Sequence, residues 1–233
     1  MKQLSQEDLQ SLSSTFSKLL KRRLGKGPEN CNVMYRGSQL YVHMRNFMTP
    51  AEEVLVNTKK VNLAVLFRSS VIDTVVKEYI PEASRVIDHT FDLFYQDWNY
   101  QSNTGMLLLE NGKGKNEKKI EDMFDDGLYK LIEEIGSYHH KSPSSIRIVK
   151  YTQNMCAIET KEVLSQLGRL VYEKNNMDIL IRHEQETKKG YLKNKKLFER
   201  VFNRLIDDIF IMWDYENDRC YLIFLFMKEN LIN

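Results

Sequence analysis

Apolar residues recur with the spacing of a helix at the start of the chain and then with the spacing of strands. Between residues 4 and 24, leucine and phenylalanine return every three or four positions, which predicts an amphipathic helix. The glycine and proline residues at 25–28 predict its end. Residues 31–36 have extended character and residues 39–45 alternate apolar with polar side chains, so these two stretches predict an antiparallel hairpin.

A strong helix start follows this hairpin. Thr49 can cap the free backbone amides, and Glu52 can bond back to the amide of the cap residue. The apolar spacing extends the predicted helix to about residue 79, with a weak point at residues 69–70. Pro81 is expected to end or kink it.

A second hairpin completes the first half, and the same order of elements then returns. Residues 90–98 and 104–109 predict its two strands, and the polar residues 111–119 predict a linker. The elements predicted after the linker are a helix over residues 124–135, a hairpin of residues 145–151 and 155–159, a helix that starts at Thr160, and a hairpin of residues 208–215 and 220–228.

The two halves are related by an offset that several residues share. The pairs 115 positions apart are Pro28 with Pro143, Trp98 with Trp213, and Tyr100 with Tyr215. Thr49 and Thr160 are only 111 apart, which predicts a shorter hairpin and a longer helical region in the second half. The sequence therefore predicts two diverged α-β-β-α-β-β repeats, residues 1–110 and 120–233, joined by the linker 111–119.

Each repeat is expected to form a four-stranded antiparallel sheet with helices on one face, which is an α+β fold. The last strand, residues 221–227, is apolar on both faces and is expected to be central in its sheet or covered by the other repeat. The two repeats are accordingly expected to pack as one pseudo-symmetric unit.

Composition narrows the function further. Of the 233 residues, 42% are hydrophobic. The 34 basic and 32 acidic residues leave a net charge of +2, which is too small to indicate binding to nucleic acid. No stretch reaches the roughly 20 apolar residues that span a bilayer, and the N-terminus lacks an apolar signal, so we expect a cytoplasmic protein without a membrane span.

No arrangement of reactive side chains in the sequence predicts catalysis or a cofactor. The three cysteines, Cys31, Cys156 and Cys220, are far apart, and the adjacent His139 and His140 lack the spacing of metal ligands. The two Gly-Lys-Gly stretches lack the pattern and the strand-loop-helix context of a phosphate loop. We therefore expect no metal, no nucleotide and no enzyme.

Residues 24–55, LGKGPENCNVMYRGSQLYVHMRNFMTPAEEVL, resemble the MpsC family. Two segments carry the resemblance, a Gly-Lys-Gly-Pro turn after the first helix and a Thr-Pro-Ala-Glu helix start: Gly25, Lys26, Gly27, Pro28, Thr49, Pro50, Ala51 and Glu52. The resemblance covers about residues 5–110. The second repeat matches only in outline, with Ser142 and Pro143 in place of the glycine turn and residues 160–162 in place of the Pro-Ala-Glu segment.

The resemblance implies a bacterial component of a cation-translocating, membrane-potential-generating system that is linked to uptake of dissolved inorganic carbon. On that basis we expect a non-enzymatic accessory or regulatory protein that contacts a membrane transport complex at the inner face of the membrane, and that is compatible with homo-oligomerisation. The eight residues of the two segments would then serve structure or interaction. The alternative is a sensor of a small ligand or anion with a site between the two repeats.

The expected absence of a structural metal or nucleotide can be tested by thermal unfolding. A strong chelator or millimolar ATP should leave the melting temperature unchanged, because the apolar content is sufficient to build a core without either ligand. A ligand bound only to the folded state at a hundred times its dissociation constant would instead add about 2.7 kcal/mol. A melting temperature that moves with either reagent would contradict the expectation.

Overall fold

The computed structural model describes residues 4–36, 38–112 and 126–231. Three parts of the expectations lie outside these ranges: residue 37 of the first turn, residues 113–119 of the linker, and residues 124–125 at the start of a helix. The chain divides into two units, Met1–Glu117 and Lys118–Asn233.

The first unit contains the predicted order of elements. They are α1 (Gln6–Leu24), β1 (Asn30–Arg36), β2 (Gln39–Arg45), α2 (Pro50–Asn57), α3 (Val61–Ile87), β3 (Leu93–Asn99) and β4 (Thr104–Glu110). The side chain of Ser5 accepts from the amide of Asp8, and the Asp8 side chain accepts from the amide of Ser5, so a capping box starts α1.

The four strands form one antiparallel sheet in the order β1-β2-β4-β3. The two hairpins are therefore joined through β2 and β4, which become the inner strands. The core takes Leu12, Phe16 and Leu20 from α1 and Ile72 and Val76 from α3. It also takes alternate strand residues, namely Leu40, Val42, Met44, Leu107 and Leu109, so the helices cover one face of the sheet.

The long helix of the first unit differs from the expectation at both of its irregular points. It breaks at residues 58–60, where Lys59 has a left-handed backbone (φ 60°), and it is continuous through residues 69–70. Pro81 lies inside α3 and does not end it. Because Tyr79 and Ala83 on either side of the proline are both buried, packing holds the helix together where its local sequence disfavours it.

The second unit repeats these elements. They are α4 (Asp126–Gly136), β5 (Ser145–Tyr151), β6 (Met155–Lys161), α5 (Gln166–Glu173), α6 (Met177–Lys193), α7 (Lys195–Phe202), β7 (Arg204–Asp214) and β8 (Arg219–Leu231). Their sheet is antiparallel in the order β5-β6-β8-β7, which is the order of the first sheet. The prediction that the last strand is central is confirmed, because β8 pairs with both β6 and β7.

The expected helix start at Thr160 is wrong. Thr160 lies inside β6, and the helix begins instead after Ser165, whose side chain accepts from the amide of Gly168. Ser165 is 116 positions after Thr49, so the second hairpin is not shorter. Its strands are separated by three residues where those of the first are separated by two, which accounts for the shift from 115 to 116.

Left-handed residues give independent support for the duplication. Among the described residues, eight other than glycine have a positive φ, and all eight fall into pairs 115 or 116 positions apart. The pairs are Asn46 with Glu162, Lys59 with Asn175, Asp88 with Asn203, and Asn103 with Asp218. Since such backbone is costly for most residues, its recurrence at equivalent positions shows two copies of one α+β architecture.

Candidate functional site

The Gly-Lys-Gly-Pro turn lies against the segment that leads into α2. Gly25 adopts the left-handed conformation (φ 74°) that ends α1, and Gly27 comes so close to α1 that a Cβ there would lie 3.0 Å from the carbonyl oxygen of Ser17. Between them, Nζ of Lys26 donates to the carbonyl of Met48 at 2.9 Å. Lys26 therefore bonds the turn to the residue just before Thr49, and Pro28 lies two positions before the start of β1.

Thr49 and Glu52 form a capping box at the start of α2. The amide of Glu52 donates to Oγ1 of Thr49 at 3.3 Å, and the amide of Thr49 donates to Oε2 of Glu52 at 2.9 Å. Pro50 and Ala51 occupy the first helical positions and are exposed. Glu52, by contrast, is completely buried, so its carboxylate needs a partner inside the protein.

That partner is Arg68 on α3, which is also completely buried. Nε of Arg68 donates to Oε1 of Glu52 at 2.5 Å, and Nη2 donates to Oε2, so the two side chains form a bidentate ion pair. The hydroxyl of Tyr100 donates to Oε1 of Glu52 at 3.3 Å. Nη2 of Arg68 also reaches the carbonyl of Phe47 at 3.3 Å.

Two aromatic rings enclose the guanidinium of Arg68. Its central carbon lies 4.3 Å from the ring centre of Phe47 and 4.9 Å from that of Trp98. Nη1 of Arg68 is buried and has no hydrogen-bond partner among the described residues. The ring faces therefore supply part of the stabilisation that this nitrogen lacks, an interaction of about 2 kcal/mol when it is desolvated.

The ion pair also decides the protonation of Glu52. Burial by itself raises the pKa of the carboxyl, but the hydrogen bonds and the positive charge of Arg68, together with the bonds from Thr49, outweigh it and hold that pKa below its ordinary value. Burial raises the pKa of the Tyr100 hydroxyl, which therefore stays protonated and remains a donor.

Comparison with protein families identifies the first unit. The family model described as "Na+-translocating membrane potential-generating system (MpsC)" matches residues 5–110. Residues 5–110 are an MpsC domain. The match ends at the last residue of β4, so the MpsC domain coincides with the first α-β-β-α-β-β copy. Comparisons with curated proteins and with solved structures found no match.

The helix-start motif predicted one of the two charged residues of this cluster of the MpsC domain and missed the other. Glu52 was identified as part of the helix start, whereas Arg68 and Tyr100 were not among the expected site residues. A signal for Arg68 was present, because it lies four positions after Ala64 and four before Ile72, both buried in α3. A charged residue at that spacing occupies the buried face of a helix and needs a buried partner.

The second unit keeps the connections around the MpsC site. In the MpsC domain, the amides of Asn46 and Met48 donate to the backbone and side-chain oxygens of Asn103 at 2.8 and 2.9 Å. The equivalent amides of Glu162 and Leu164 donate to the backbone and side-chain oxygens of Asp218, both at 2.8 Å. The link from β2 to α2 in the MpsC domain and the link from β6 to α5 in the second unit are therefore held by the same two hydrogen bonds.

The side chains at the centre of the site are not repeated. At 116 positions after Phe47, Glu52 and Arg68 stand Val163, Gly168 and Glu184. The helices α3 and α6 begin at this same offset, so these positions correspond in the fold. Glu184 accepts a hydrogen bond from the hydroxyl of Tyr215 at 2.7 Å, and Gly168 has no side chain that could form an ion pair with it. The second copy has thus lost the ion pair.

Both units expose large apolar side chains at equivalent positions of their helices. In the MpsC domain these are Val54 on α2 and Leu63 and Phe67 on α3, with 61%, 52% and 46% of their surface accessible. Leu170 and Ile179, at 116 positions after Val54 and Leu63, are also exposed. Leu63 and Phe67 lie one turn apart on α3 and therefore share a face. We call Val54, Leu63 and Phe67 the α2–α3 apolar set.

The described part of the chain was also searched for metal sites, membrane-spanning helices and paired cysteines. Within residues 4–36, 38–112 and 126–231, no group of three or more His, Cys, Asp or Glu side chains could hold a metal ion. No helix in those ranges combines the length and the apolar character that crossing a membrane requires. The three cysteines are free thiols, and Cys156 and Cys220 are buried.

Replacement of Thr49 by alanine should lower the free energy of unfolding by about 1 kcal/mol, because the start of α2 loses its cap. Thr49→Ser is the matched control, since it keeps the hydroxyl. Chemical denaturation followed by circular dichroism measures both. A Thr49→Ala protein as stable as the Thr49→Ser protein would show that the capping box contributes nothing.

Removal of one partner of the ion pair should lower the free energy of unfolding far more than replacement of both partners by apolar residues. Glu52→Gln leaves Arg68 buried without a charged partner and should destabilise the protein by about 3–5 kcal/mol, whereas Glu52→Leu combined with Arg68→Met should cost far less. Urea denaturation of the three proteins compares them at neutral pH.

The same proteins test the pKa of Glu52. Because that pKa is lowered by folding, its contribution to stability is complete above the unfolded-state value of about 4.3 and is lost as the pH falls through the lower folded-state value. The wild-type protein should therefore lose stability in this acidic range, and the double variant should lose less. Equal pH dependence in both would contradict the assignment.

Proposed function

We propose that this protein is a non-enzymatic component of a Na⁺-translocating, membrane-potential-generating system, and that it acts by binding a protein subunit of that system. The family of residues 5–110 supports the association with such a system. The expected link to uptake of dissolved inorganic carbon is part of the same proposal and derives from the resemblance to the family.

The single observation that carries the contact mechanism is the α2–α3 apolar set. Exposed apolar side chains at scattered positions need no explanation, but Val54 and Leu63 are exposed at positions where the second copy also exposes aliphatic residues. These residues contribute little to the cores of their own units. Their repeated apolar character is accounted for by a partner that covers them.

The buried Glu52–Arg68 pair gives this surface a fixed base. Glu52 is on α2 and Arg68 is on α3, so the bidentate bond holds the two helices that carry the apolar set in one relative position. A surface that is rigid before binding loses less conformational entropy when a partner docks on it. In this proposal the family residues Thr49 to Glu52 act on the contact surface through their position at its base.

Co-expression of the tagged chain with the membrane subunits of such a system tests the proposal. The double variant Leu63→Ser with Phe67→Ser should retain at least about tenfold less of those subunits after detergent extraction and affinity purification, because apolar anchors dominate protein interfaces. Its melting temperature should change little, since both side chains are largely exposed.

Tyr138→Ser is the matched control, since Tyr138 is an exposed aromatic residue of the second unit with 82% of its surface accessible. It should retain the subunits as the wild type does. The proposal fails if the wild-type chain retains none of the subunits, or if the double variant and the control retain equal amounts.

A further inference from the structure

A groove of about 480 Å³ lies between the end of α1 and the first half of α3 in the MpsC domain. Leu66 and Val71 are half-buried residues of its lining, and Phe67 of the α2–α3 apolar set lines it as well. The polar residues of the lining are Arg23, Ser70 and Thr74. We call this space the α1–α3 groove. It is continuous with the α2–α3 apolar set through Phe67.

One face of α3 extends beyond this groove in both directions. Its residues are spaced by three or four positions and therefore share a side of the helix: Leu63, Phe67, Ser70, Thr74 and Glu78. Glu78 comes fifteen positions after Leu63, which corresponds to about 22 Å along the helix axis. A partner helix of about four turns matches this length.

The middle of this face allows a partner to come close. Ser70 and Thr74 are small and exposed, and Oγ of Ser70 donates to the carbonyl of Leu66 at 2.9 Å. The serine hydroxyl therefore already has an acceptor within its own helix. Because small side chains shorten the distance at which two helices pack, this stretch favours a helix as the bound element.

Two arginines of α1 lie at one end of the face. Nη2 of Arg22 and Nη2 of Arg23 both donate to the carboxylate of Glu78, so one negative charge is shared by two positive charges. A guanidinium has five N–H donors, and the side chains of Arg22 and Arg23 are 59% and 45% exposed. This end therefore keeps a net positive charge and accessible donors for a second carboxylate.

The opposite end of the face is basic as well. Lys59 and Lys60 are exposed in the turn between α2 and α3, within four positions of Leu63. Residues 18–70 contain ten Lys or Arg and three Asp or Glu, a net charge of +7, whereas the whole chain carries only +2. The positive charge is thus concentrated in the part of the chain that includes the end of α1, α2 and the start of α3. A partner with carboxylates at both ends of an apolar stripe complements this surface.

The shape of the surface favours a helix over a lipid bilayer. A helix that lies on a membrane inserts its apolar side chains into the layer of headgroups, so those side chains must project outward. Leu66 and Val71 are instead recessed in a groove that Arg23 lines. An amphipathic helix fits such a groove with apolar residues at every third or fourth position.

We propose that the α1–α3 groove and the exposed face of α3 bind an acidic amphipathic helix of the partner subunit. Its apolar side chains pack on Leu63, Phe67 and Val71. Its carboxylates bond to the two arginines at one end and lie near the two lysines at the other. This inference rests on the protein contact proposed above and names the kind of segment that makes it.

Retention of the membrane subunits by the tagged chain tests the role of the charges. Arg22→Gln with Arg23→Gln should retain at least about fivefold less of the subunits than the wild type at 0.1 M NaCl, because complementary charges assist association at low salt. At 1 M NaCl the screening length falls from about 10 Å to about 3 Å, so the wild type and this variant should retain equal amounts. The melting temperature should change little, since exposed ion pairs contribute little to stability.

Arg182→Gln with Lys189→Gln is the matched control. It removes the same two positive charges from α6, where Arg182 and Lys189 are 67% and 68% exposed and each is in an ion pair. This variant should retain the subunits as the wild type does at both salt concentrations.

A photo-crosslinker beside the face identifies the bound segment. Lys77 is exposed and precedes Glu78 on α3, so p-benzoylphenylalanine in its place reports on the neighbouring partner residues without filling the groove. Mass spectrometry of the cross-linked subunit should locate a stretch with apolar residues at every third or fourth position and with Asp or Glu near both ends.

Three outcomes would overturn the inference. They are equal retention by the arginine variant and its control at 0.1 M NaCl, a cross-linked segment without acidic residues, and sedimentation of the chain alone with phosphatidylglycerol vesicles that the arginine variant abolishes. The last outcome would assign the surface to a membrane. If Leu63→Ser with Phe67→Ser loses the subunits and the arginine variant does not, the protein contact stands and only the acidic helix is excluded. A wild-type chain that retains no subunit contradicts both proposals.

Discussion

The ion pair between Glu52 and Arg68 is the interaction on which the MpsC domain depends most. Both groups are fully buried, so each would carry a large desolvation penalty without the other. The pair joins α2 to α3. Thr49, in the link before α2, and Tyr100, in the turn after β3, both donate hydrogen bonds to the same Glu52 carboxylate. These four segments, α2, α3, the link before α2 and the turn after β3, are thus fixed around one charge.

The second copy shows what happens to this architecture when the charge pair is absent. Its strand order, its left-handed residues and the hydrogen bonds of Asp218 repeat those of the MpsC domain, so the backbone frame does not require the ion pair. The counterparts of Phe47 and Glu52, Val163 and Gly168, line an open pocket between α5 and α6. The backbone frame and the filling of the core are therefore separable in this fold.

This division suggests how duplication and divergence produced two different units from one fold. In the MpsC domain, the buried Glu52–Arg68 pair holds α2 against α3, and these two helices carry the exposed apolar residues that we propose bind a protein. In the second unit, Glu184 replaces the arginine and bonds to Tyr215, and histidines pack on Trp213 where the first copy has a guanidinium over Trp98. Each change preserves packing on the indole while altering its polarity.

The sequence by itself determined the features that depend on neighbouring residues. Short-range hydrogen bonds determine the caps at Ser5 and Thr49, and apolar periodicity determines the hairpins and the order of the two repeated halves. Each of these features can therefore be predicted from a short stretch of sequence. The tertiary structure decided what depends on distant partners. Pro81 stays within α3 because both sides of the helix are anchored in the core, and the second helix starts at Ser165 because Thr160 is held in the sheet between β5 and β8. The sequence did not predict the partner of Arg68 or the pocket beside Trp213. An ion pair or a pocket is formed by side chains that meet only after the helices and strands have packed.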